Sequence, residues 1–214
     1  MEVISGLTKN AEAADSVYVG ATNPLVNIHN AKRLANHPGG MQCYKAIDEK
    51  GADLRITNAI SGCMAKLYLK TNAPVIVTKN GPDVANGERG TVEKLADDHV
   101  IVRLSSGRSV KLERVPFSRQ CGRSFHVRYQ IPLKLAWGLT IHRCQGQTLP
   151  AVVIDLRKVY SHSMLGVALS RCQKQENIHI LHLDIPALRS LVPPSPEHLN
   201  FIATCDPPVV VRAN

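Results

Sequence analysis

Residues 130–149, QIPLKLAWGLTIHRCQGQTL, carry the most distinctive pattern in this chain of 214 residues. Leu133, Ala136 and Leu139 recur at helical spacing, which predicts a helix over LKLAWGLTIHR. A cluster of polar side chains follows, just before the apolar run AVVIDL. Polar groups that gather where a helix gives way to a buried strand are placed to bind a ligand, although such groups also satisfy the backbone of ordinary loops. The cluster consists of Thr140, His142, Gln145, Gly146, Gln147 and Thr148.

The composition describes a folded, basic protein. Hydrophobic residues make up 44% of the chain, which is enough to build a core, and the formal net charge is +9. A basic balance favours a polyanionic partner, either nucleic acid or an anionic membrane surface. No apolar run is long enough to span a bilayer, and residues 1–16 lack the apolar stretch of a secretory signal. We therefore expect an intracellular protein without a membrane-spanning segment.

Strands and helices alternate at both ends of the chain. After the strand-like VYVG, Thr22, Asn23 and Pro24 predict the start of a helix, because a capping oxygen before a proline is typical of helix N-termini. Further along, AVVIDL, SMLGVALSR and NIHILHL predict a strand, a helix and a strand. Such alternation predicts an α/β fold with a parallel sheet. The core face predicted for the first helix is Leu25, Ile28, Ala31 and Leu34.

The middle of the chain has a different pattern. From about Leu69, short runs rich in β-branched residues, such as APVIVT, GTVEKL, HVIVRL and RSVKLERV, are separated by turn signals that include Asn86-Gly87. Several strands at short spacing predict a small β barrel inserted into the α/β lobe. The predicted organisation is an N-terminal lead (1–16), the first part of the lobe (17–68), the inserted barrel (69–128), the second part of the lobe (129–190) and a Pro-rich tail (191–214).

Cysteine and histidine are scattered along the chain. The cysteines show no short paired spacing, which is typical of reduced thiols and not of a disulfide framework or a zinc site. His179 and His182 alternate with apolar residues and predict the polar face of a strand. We therefore expect no metal site in this chain. The cysteines are Cys43, Cys63, Cys121, Cys144, Cys172 and Cys205.

Basic residues concentrate between the predicted barrel and the next predicted helix, where Glu113 is the one acid. Arginine outnumbers lysine in this run, which favours phosphate recognition because a guanidinium offers two parallel donors. A solvated basic face without a partner is the alternative interpretation. The residues of the run are Arg103, Arg108, Lys111, Arg114, Arg119, Arg123, Arg128 and Lys134.

Residues 130–149 also match the pattern Q-x-P-L-x-x-A-x-x-x-T-I-H-[KR]-x-Q-G-x-T, and so resemble motif V of the Pif-type (petite integration frequency) DNA helicases, relatives of RecD in helicase superfamily one. VALSR at 167–171 resembles motif VI, and Thr22-Asn23 with the helix that follows resembles motif IV. Residues 73–92 resemble the opening of the family's inserted Src-homology-3-like barrel. The order and separation of the motifs agree over about residues 17–184. The resemblance implies a RecA-like parallel-sheet lobe with an inserted small β barrel of the Src-homology-3-like type.

The resemblance also implies roles for individual residues. In the family two RecA-like lobes clasp ATP, and the motif VI arginine of the second lobe reaches the γ-phosphate that the first lobe binds; Arg171 matches this arginine, with Gly146 and Gln147 close to the nucleotide. On sequence alone, an arginine at a helix end can also simply complement the helix dipole. The resemblance implies single-stranded DNA contacts by Asn23, Thr140, His142, Arg143 and Gln145, and the basic run adds Arg119, Arg123 and Arg128. Arg143 replaces the usual lysine, which leaves its role open.

A phosphate-binding loop is missing from this sequence. It contains no Gly-Lys pair and hence no G-x-x-x-x-G-K-[ST] motif. We therefore expect ATP and Mg²⁺ to be bound mainly by a separate N-terminal Walker A lobe, and we expect this chain alone not to hydrolyse ATP. Asp48-Glu49 superficially matches a Walker B pair, but it runs into a Lys-Gly turn and predicts a strand end.

Three functions are compatible with the sequence. The first is the C-terminal motor lobe of an ATP-dependent 5′ to 3′ DNA helicase, monomeric, located in the nucleus or the mitochondrion if eukaryotic, and acting in DNA repair, recombination or telomere maintenance. The second is a stand-alone module that binds single-stranded nucleic acid, which the aromatic content of 4% weakens because few rings are present for base stacking. The third is a protein-interaction domain that uses the small barrel as its contact.

Overall fold

The computed structural model describes residues 16–184 and 191. The predicted N-terminal lead and the Pro-rich tail, including Cys205, therefore lie outside the described residues apart from Ser16 and Leu191. Cys43, Cys63, Cys121, Cys144 and Cys172 are free thiols. In the part that the structure describes, no helix is long and apolar enough to cross a membrane.

The chain divides into two compact units. Unit 1 comprises residues 1–23 and 140–214, and unit 2 comprises residues 24–139. The domain borders predicted from the sequence, at 68/69 and 128/129, remain predictions.

In chain order the strands are β1 (Val17–Gly20), β2 (Gln42–Lys45), β3 (Ile47–Asp48), β4 (Lys66–Leu69), β5 (Pro74–Val77), β6 (Arg89–Leu95), β7 (His99–Leu104), β8 (Ser109–Glu113), β9 (Val115–Cys121), β10 (Ser124–Gln130), β11 (Leu133–Leu135), β12 (Gly138–Thr140), β13 (Val152–Asp155) and β14 (Ile178–Leu181). The helices are α1 (Asn23–Asn36), α2 (Leu54–Asn58) and α3 (His162–Leu169), and a 3-10 turn covers Gln175–Asn177.

The predicted parallel sheet forms in unit 1. β13 pairs in parallel with β1 on one side and with β14 on the other, within a sheet of order β12-β1-β13-β14. All residues of β1 and β13 are buried, as expected for central strands of such a sheet. Between β13 and β14 lies α3, which begins after Ser161, whose side chain accepts a hydrogen bond from Met164 N. The strand, helix and strand predicted near the end of the chain are confirmed.

The helix predicted over LKLAWGLTIHR is wrong, because this segment forms β11, β12 and the beginning of a turn. β11 pairs antiparallel with β5, and β12 joins the sheet at β1. The three residues at helical spacing, Leu133, Ala136 and Leu139, are all buried, but so are Trp137 and Ile141 between and beyond them. A short run that is buried on all sides carries no helical period, since strands and helices both bury such residues.

The first helix, α1, begins where the sequence predicts but turns a different face toward the core. Its buried residues are Val26, Asn30 and Leu34, so that only Leu34 of the predicted face is among them. Ile28 is 56% exposed. The predicted face followed apolar side chains, whereas the observed face includes an asparagine.

Asn30 is buried because it binds the backbone that leads into β12. Its Oδ1 accepts from Gly138 N at 2.7 Å, and its Nδ2 donates to Leu135 O at 3.2 Å and Gly138 O at 3.0 Å. A buried backbone group without a partner is costly, so one amide side chain that satisfies three of them stabilises the segment between β11 and β12.

Unit 2 consists mainly of antiparallel strands. The four runs predicted as barrel strands correspond to β5, β6, β7 and β8, which join β11 in a sheet of order β11-β5-β6-β7-β8; closure of this sheet into a barrel stays a prediction. The predicted turn at Asn86-Gly87 is present, with Gly87 at φ 93°. β9 and β10 form a hairpin that the sequence did not predict, and they join β3 in a sheet of order β3-β10-β9. The core of the unit includes Tyr44, Leu67, Leu69, Val75, Val77, Val92, Val100, Val102, Ile131 and Leu133.

Candidate nucleotide and nucleic-acid site

The predicted polar cluster lies on a segment that connects the two ends of β1. Ile141 N donates to Gly20 O at 3.0 Å, at the carboxyl end of the strand, whereas Ala151 O accepts from Val17 N at 3.0 Å, at its amino end. The two ends of a strand of this length are about 10 Å apart. Residues 141–151 therefore run from the carboxyl end of β1 back to its amino end. His142 lies at the carboxyl end of β1.

The segment is held in a compact turn by its own backbone. Thr140 O accepts from Arg143 N at 2.9 Å and from Cys144 N at 3.1 Å, and Gln147 N donates to Cys144 O at 3.0 Å. Gly146 has φ 78°, while the space beside its Cα is open. Glycine is therefore favoured here by the left-handed backbone and not by a steric limit.

The turn divides its side chains between solvent and interior. His142 and Gln145 are exposed, whereas Thr140 is buried. Partial burial lowers the pKa of the Arg143 guanidinium, which nevertheless stays charged at neutral pH. Burial raises the pKa of the Cys144 thiol to about 11, so this thiol stays neutral. The turn therefore offers a ligand one partly buried cation and two exposed polar side chains.

Arg171 follows α3 and reaches back to the turn. Its Nε donates to Val167 O at 2.9 Å, and its terminal nitrogens donate to Gln147 O at 3.3 Å and to Ser170 Oγ at 2.8 Å. A guanidinium carries five N–H donors, so these bonds within the described residues leave two donors for an anion. The backbones are tied as well, since Leu149 N donates to Arg171 O at 2.8 Å. The structure thus brings Arg171 and Gln147, both predicted to lie at the nucleotide, into direct contact.

Gln147 retains a buried acceptor. Its Nε2 donates to Arg143 O at 2.9 Å, whereas its Oε1 is buried and has no donor among the described residues. A buried oxygen without a hydrogen bond costs about 1–3 kcal/mol. A donor group of a ligand or of water that reached Oε1 would remove this cost.

Asn23 lies at the same end of the sheet as His142. It is exposed at the start of α1, shortly after Gly20, whose carbonyl receives the hydrogen bond from Ile141 N. The residues of unit 1 predicted to contact DNA therefore follow two strands that end side by side.

In unit 2, the predicted DNA-binding arginines differ in their availability. Arg119 is exposed, and its Nη1 donates to Ala59 O at 3.0 Å. Arg123 is exposed at the turn between β9 and β10. Other members of the basic run are partly neutralised, since Arg103 and Lys111 form ion pairs with Glu93 and Glu113 at 2.9 and 2.6 Å.

Arg128 is a structural residue, and we leave it out of the DNA-contacting set. It is 2% exposed, and Asp48 accepts from its Nε at 2.6 Å and from its Nη2 at 2.9 Å. Thr57 Oγ1 and Asn58 Oδ1 accept from it at 3.0 and 2.8 Å. The hydrogen bond from Arg128 lowers the pKa of the Asp48 carboxyl. A buried guanidinium that makes these four hydrogen bonds cannot reach a phosphate without breaking the network.

A cluster around Asp155 was not predicted. Asp155 is fully buried at the end of β13 and accepts from Tyr18 Oη at 2.5 Å and from Arg157 Nη2 at 2.6 Å, while His182 Nδ1 lies at 3.3 Å. Burial raises the pKa of its carboxyl, but the hydrogen bonds from Arg157 and Tyr18 outweigh burial, and the net direction is downward. The signal in the sequence was a carboxylate at the end of a buried strand, because the carboxyl ends of parallel strands lie at one edge of the sheet.

Over the described ranges 16–184 and 191, no three His, Cys, Asp or Glu side chains lie close enough together to hold a metal ion.

Individual relatives of this chain identify its family, although no model of a known protein family matches the chain. The chain is 32% identical over 173 residues to the ATP-dependent DNA helicase PIF1 of Xenopus laevis, with 77% of this chain and 27% of that protein covered. It is 34% identical over 167 residues to the ATP-dependent DNA helicase PIF1 of Danio rerio, with 74% of this chain and 26% of that protein covered.

The structure resembles solved helicase structures. The crystal structure of Pif1 helicase from Candida albicans matches with a TM-score of 0.79 and 25% identity, covering 94% of this chain and 52% of that chain. Pif1 from Bacteroides in complex with ADP-AlF3 and ssDNA matches with a TM-score of 0.75 and 25% identity, covering 94% and 48%. The chain thus spans about a quarter of the length of the relatives and about half of the solved chains. The prediction of an α/β, RecA-like lobe is confirmed, and the chain belongs to the Pif1 family of DNA helicases.

Proposed function

We propose that this chain supplies the C-terminal motor lobe of an ATP-dependent 5′ to 3′ DNA helicase, while a Walker A lobe binds ATP and Mg²⁺. The observation that carries the proposal is the hydrogen bond between Arg171 and Gln147 O, at 3.3 Å. It joins the arginine of motif VI to the far end of a turn that begins beside His142. We therefore expect the turn to contact DNA near His142 and ATP near Gln147.

On the nucleotide side, Arg171 acts as an arginine finger. Its two remaining donors compensate the charge that develops on the γ-phosphate during transfer, as guanidinium groups do in related phosphoryl-transfer enzymes. Gln147 Oε1, buried and without a donor in the described chain, accepts from a group of the nucleotide site. Gly146, at φ 78°, keeps the backbone of this corner open to a close approach.

On the DNA side, unit 1 contributes exposed polar groups and one cation. His142, Gln145 and Asn23 donate to phosphate or sugar oxygens, and Arg143 adds charge. Thr140, being buried, supports the turn through its carbonyl and does not meet the strand directly. In unit 2, the exposed Arg119 and Arg123 offer further cationic groups to DNA.

Coupling between the two sides follows from the stiffness of the turn. When Arg171 moves toward a phosphate, its bond to Gln147 O weakens, and the backbone hydrogen bonds from Thr140 to Gln147 pass the displacement on to His142. We expect this series of hydrogen bonds to link the nucleotide to the DNA strand, since hydrogen-bond networks of this kind can carry coupling between two sites.

The cellular setting is part of the same proposal. A protein that combines these sites with a Walker A lobe acts on DNA in the nucleus or the mitochondrion, in repair, recombination or telomere maintenance. Its relatives carry the name of an ATP-dependent DNA helicase.

ATP hydrolysis tests the motor assignment. The chain alone is expected not to hydrolyse ATP, whereas the chain preceded by a Walker A lobe is expected to show hydrolysis that single-stranded DNA stimulates. The matched control replaces the lysine of the added Walker A motif and should abolish turnover. Hydrolysis by the isolated chain, or a joined protein that ignores DNA, would contradict the proposal.

Oligonucleotide binding tests the DNA side separately. We expect a labelled single strand to bind with an affinity that falls as salt rises, because each neutralised phosphate releases a counterion. The double change His142→Ala and Gln145→Ala should weaken binding at every salt concentration, and Asn27→Ala on the exposed side of α1 should not. A flat salt response would sink the DNA-binding assignment.

A further inference from the structure

On the outward face of the sheet β3-β10-β9 of unit 2, β3 and β10 expose apolar side chains, beside Ser118 and Gln120 of β9. Successive side chains of a strand point to opposite faces, so Phe125, Val127 and Tyr129 of β10 share one face. Phe125 is 65% exposed and Tyr129 is 38% exposed. Ile47 of β3, which lies opposite Tyr129, is 58% exposed. We call Ile47, Phe125, Val127 and Tyr129 the aromatic face. Large apolar side chains that cluster at a solvent-exposed surface are typical of interaction sites.

Folding of unit 2 uses the opposite face of this sheet. There Arg128 donates to Thr57 and Asn58 of α2, and His126 Nδ1 accepts from Asp53 N at 3.0 Å, just before α2. On β9, Arg119 donates to Ala59 O at the end of the same helix. Helix α2 therefore covers the inner face, and the exposure of the aromatic face has no explanation in the packing of the unit.

The charges around the hairpin favour a polyanion. No Asp or Glu occurs between Arg114 and Ile154, a stretch that contains the whole hairpin. Arg123 is exposed at its turn. The nearest carboxylate in the register is that of Glu49, whose backbone N donates to Val127 O at 3.0 Å, while Asp48 is paired with Arg128 on the inner face. Exposed rings on a hairpin that has an exposed arginine at its turn and no carboxylate in β9 or β10 fit a surface that binds single-stranded nucleic acid.

The spacing of the rings fits separate bases. Phe125 and Tyr129 are four residues apart on one strand, which places their Cα atoms about 13 Å apart. Val127 lies between them and Ile47 beside Tyr129, so an apolar floor connects the two rings. An extended single strand can lay one base on each ring, because every base has a π-face and stacking tolerates any sequence.

We propose that the aromatic face is a base-stacking platform for single-stranded DNA, with Phe125 and Tyr129 as the stacking rings. The proposal rests on the proposed function for the identity of its ligand, but it assigns a second contact area, in unit 2, that differs in chemistry from the polar turn of unit 1. The turn offers hydrogen bonds and charge, whereas the platform offers ring surface.

Photochemical crosslinking to oligonucleotides that carry 5-iododeoxyuridine tests the platform, since iodouracil crosslinks efficiently to rings on which it stacks. We expect crosslinked peptides that contain Phe125 and Tyr129 when the full chain is irradiated with such an oligonucleotide. Crosslinks confined to other residues would overturn the proposal.

Affinity measurements provide the second readout. The double change Phe125→Ala and Tyr129→Ala should lower affinity for a mixed-sequence oligonucleotide about tenfold or more, with the slope of log affinity against log salt unchanged, because stacking releases no counterions. Tyr129→Phe keeps the ring and should keep the affinity, while Phe125→Leu keeps apolar surface but loses the ring and should weaken binding. Tyr68→Ala is the matched control, because Tyr68 is also 38% exposed but lies on β4.

The outcomes separate this proposal from the one above. If the double variant binds like the wild type while the His142 and Gln145 variant binds weakly, the platform is refuted and the DNA-binding turn stands. If Phe125→Leu keeps full affinity, the face is a general apolar surface, as for a protein partner, and the platform is refuted. If the wild-type chain binds no single strand at all, both proposals fail.

Discussion

Arg128 and Arg171 show how far a single residue can be interpreted from sequence. Both were assigned to ligands, yet Arg128 is 2% exposed and paired with Asp48, whereas Arg171 keeps donors available beside Gln147. The position of Arg171 beside the turn could be expected from the sequence because VALSR is a local motif, while its role toward ATP stays a prediction. The structural role of Arg128 could not be expected, because its partner lies far away in the chain and no local pattern shows which arginine of a basic run is buried.

Removal of the Arg128 side chain tests its structural role. Arg128→Ala leaves Asp48, Thr57 and Asn58 without this donor, and we expect a cost of about 1–3 kcal/mol, because the Asp48 side chain is 22% exposed and solvent compensates part of its charge. Urea unfolding should show this loss. Arg119→Ala, which removes an exposed arginine from the neighbouring strand, should change stability by no more than about 0.5 kcal/mol. Equal effects of the two changes would show that Arg128 is not the structural residue described here.

The carboxyl of Asp155 predicts a pH dependence. Its pKa is lowered from the usual 3.8 in the folded protein, so the unfolded chain binds this proton more readily. The stability that Asp155 contributes is therefore present above about pH 4 and is lost as pH falls through the folded pKa. Asp155→Asn should flatten the acid side of a plot of unfolding free energy against pH, and Asp83→Asn, at an exposed position, should leave it unchanged. A wild-type slope in the Asp155 variant would contradict this assignment.

At the scale of elements, α3, β13 and β14 were predictable because their patterns are local and their boundaries carry caps and turns. The strands β11 and β12 were not predictable, because most apolar residues of this segment are buried without a period and its backbone partners come from α1 and β5. The core face predicted for α1 was also wrong because of a partner distant in sequence: Asn30 points inward to bind Gly138. Polar residues that serve distant backbone groups leave no periodic signal.

The contribution of the three Asn30 hydrogen bonds to stability can be measured. Asn30→Leu fills a similar volume but leaves the backbone groups of Gly138 and Leu135 unsatisfied, at about 1–3 kcal/mol for each buried group. We expect a clear loss of stability in thermal or urea unfolding. Asn27→Ala, on the exposed side of the same helix, should have little effect. If Asn30→Leu were neutral or stabilising, burial of apolar surface would matter more at this position than the hydrogen bonds.

At the scale of the whole molecule, the family was accessible from sequence because the motifs occur in a fixed order over most of the chain. The division into unit 1 and unit 2 was not, since it depends on which strands pair across long separations. The hairpin of β9 and β10 was also missed, because its exposed aromatic residues and buried arginine reverse the usual alternation of apolar and polar positions. Of the candidate site, the contact between Arg171 and the turn agrees with the order of the motifs, while the roles of these residues toward ATP and DNA stay predictions. The Asp155 cluster and the burial of Arg128 were not predicted.

The most direct measurement is the rate of ATP hydrolysis, with and without single-stranded DNA, of a protein in which a Walker A lobe precedes this chain, compared with its Arg171→Ala variant. Loss of an arginine finger should lower kcat by about a thousandfold or more, while affinity for the oligonucleotide stays at its wild-type value; Arg171→Lys, which keeps charge but not the fork of donors, should recover only part of the rate. DNA-stimulated hydrolysis that survives Arg171→Ala at the wild-type rate would contradict the assignment of this residue and, with it, the motor role proposed for the chain.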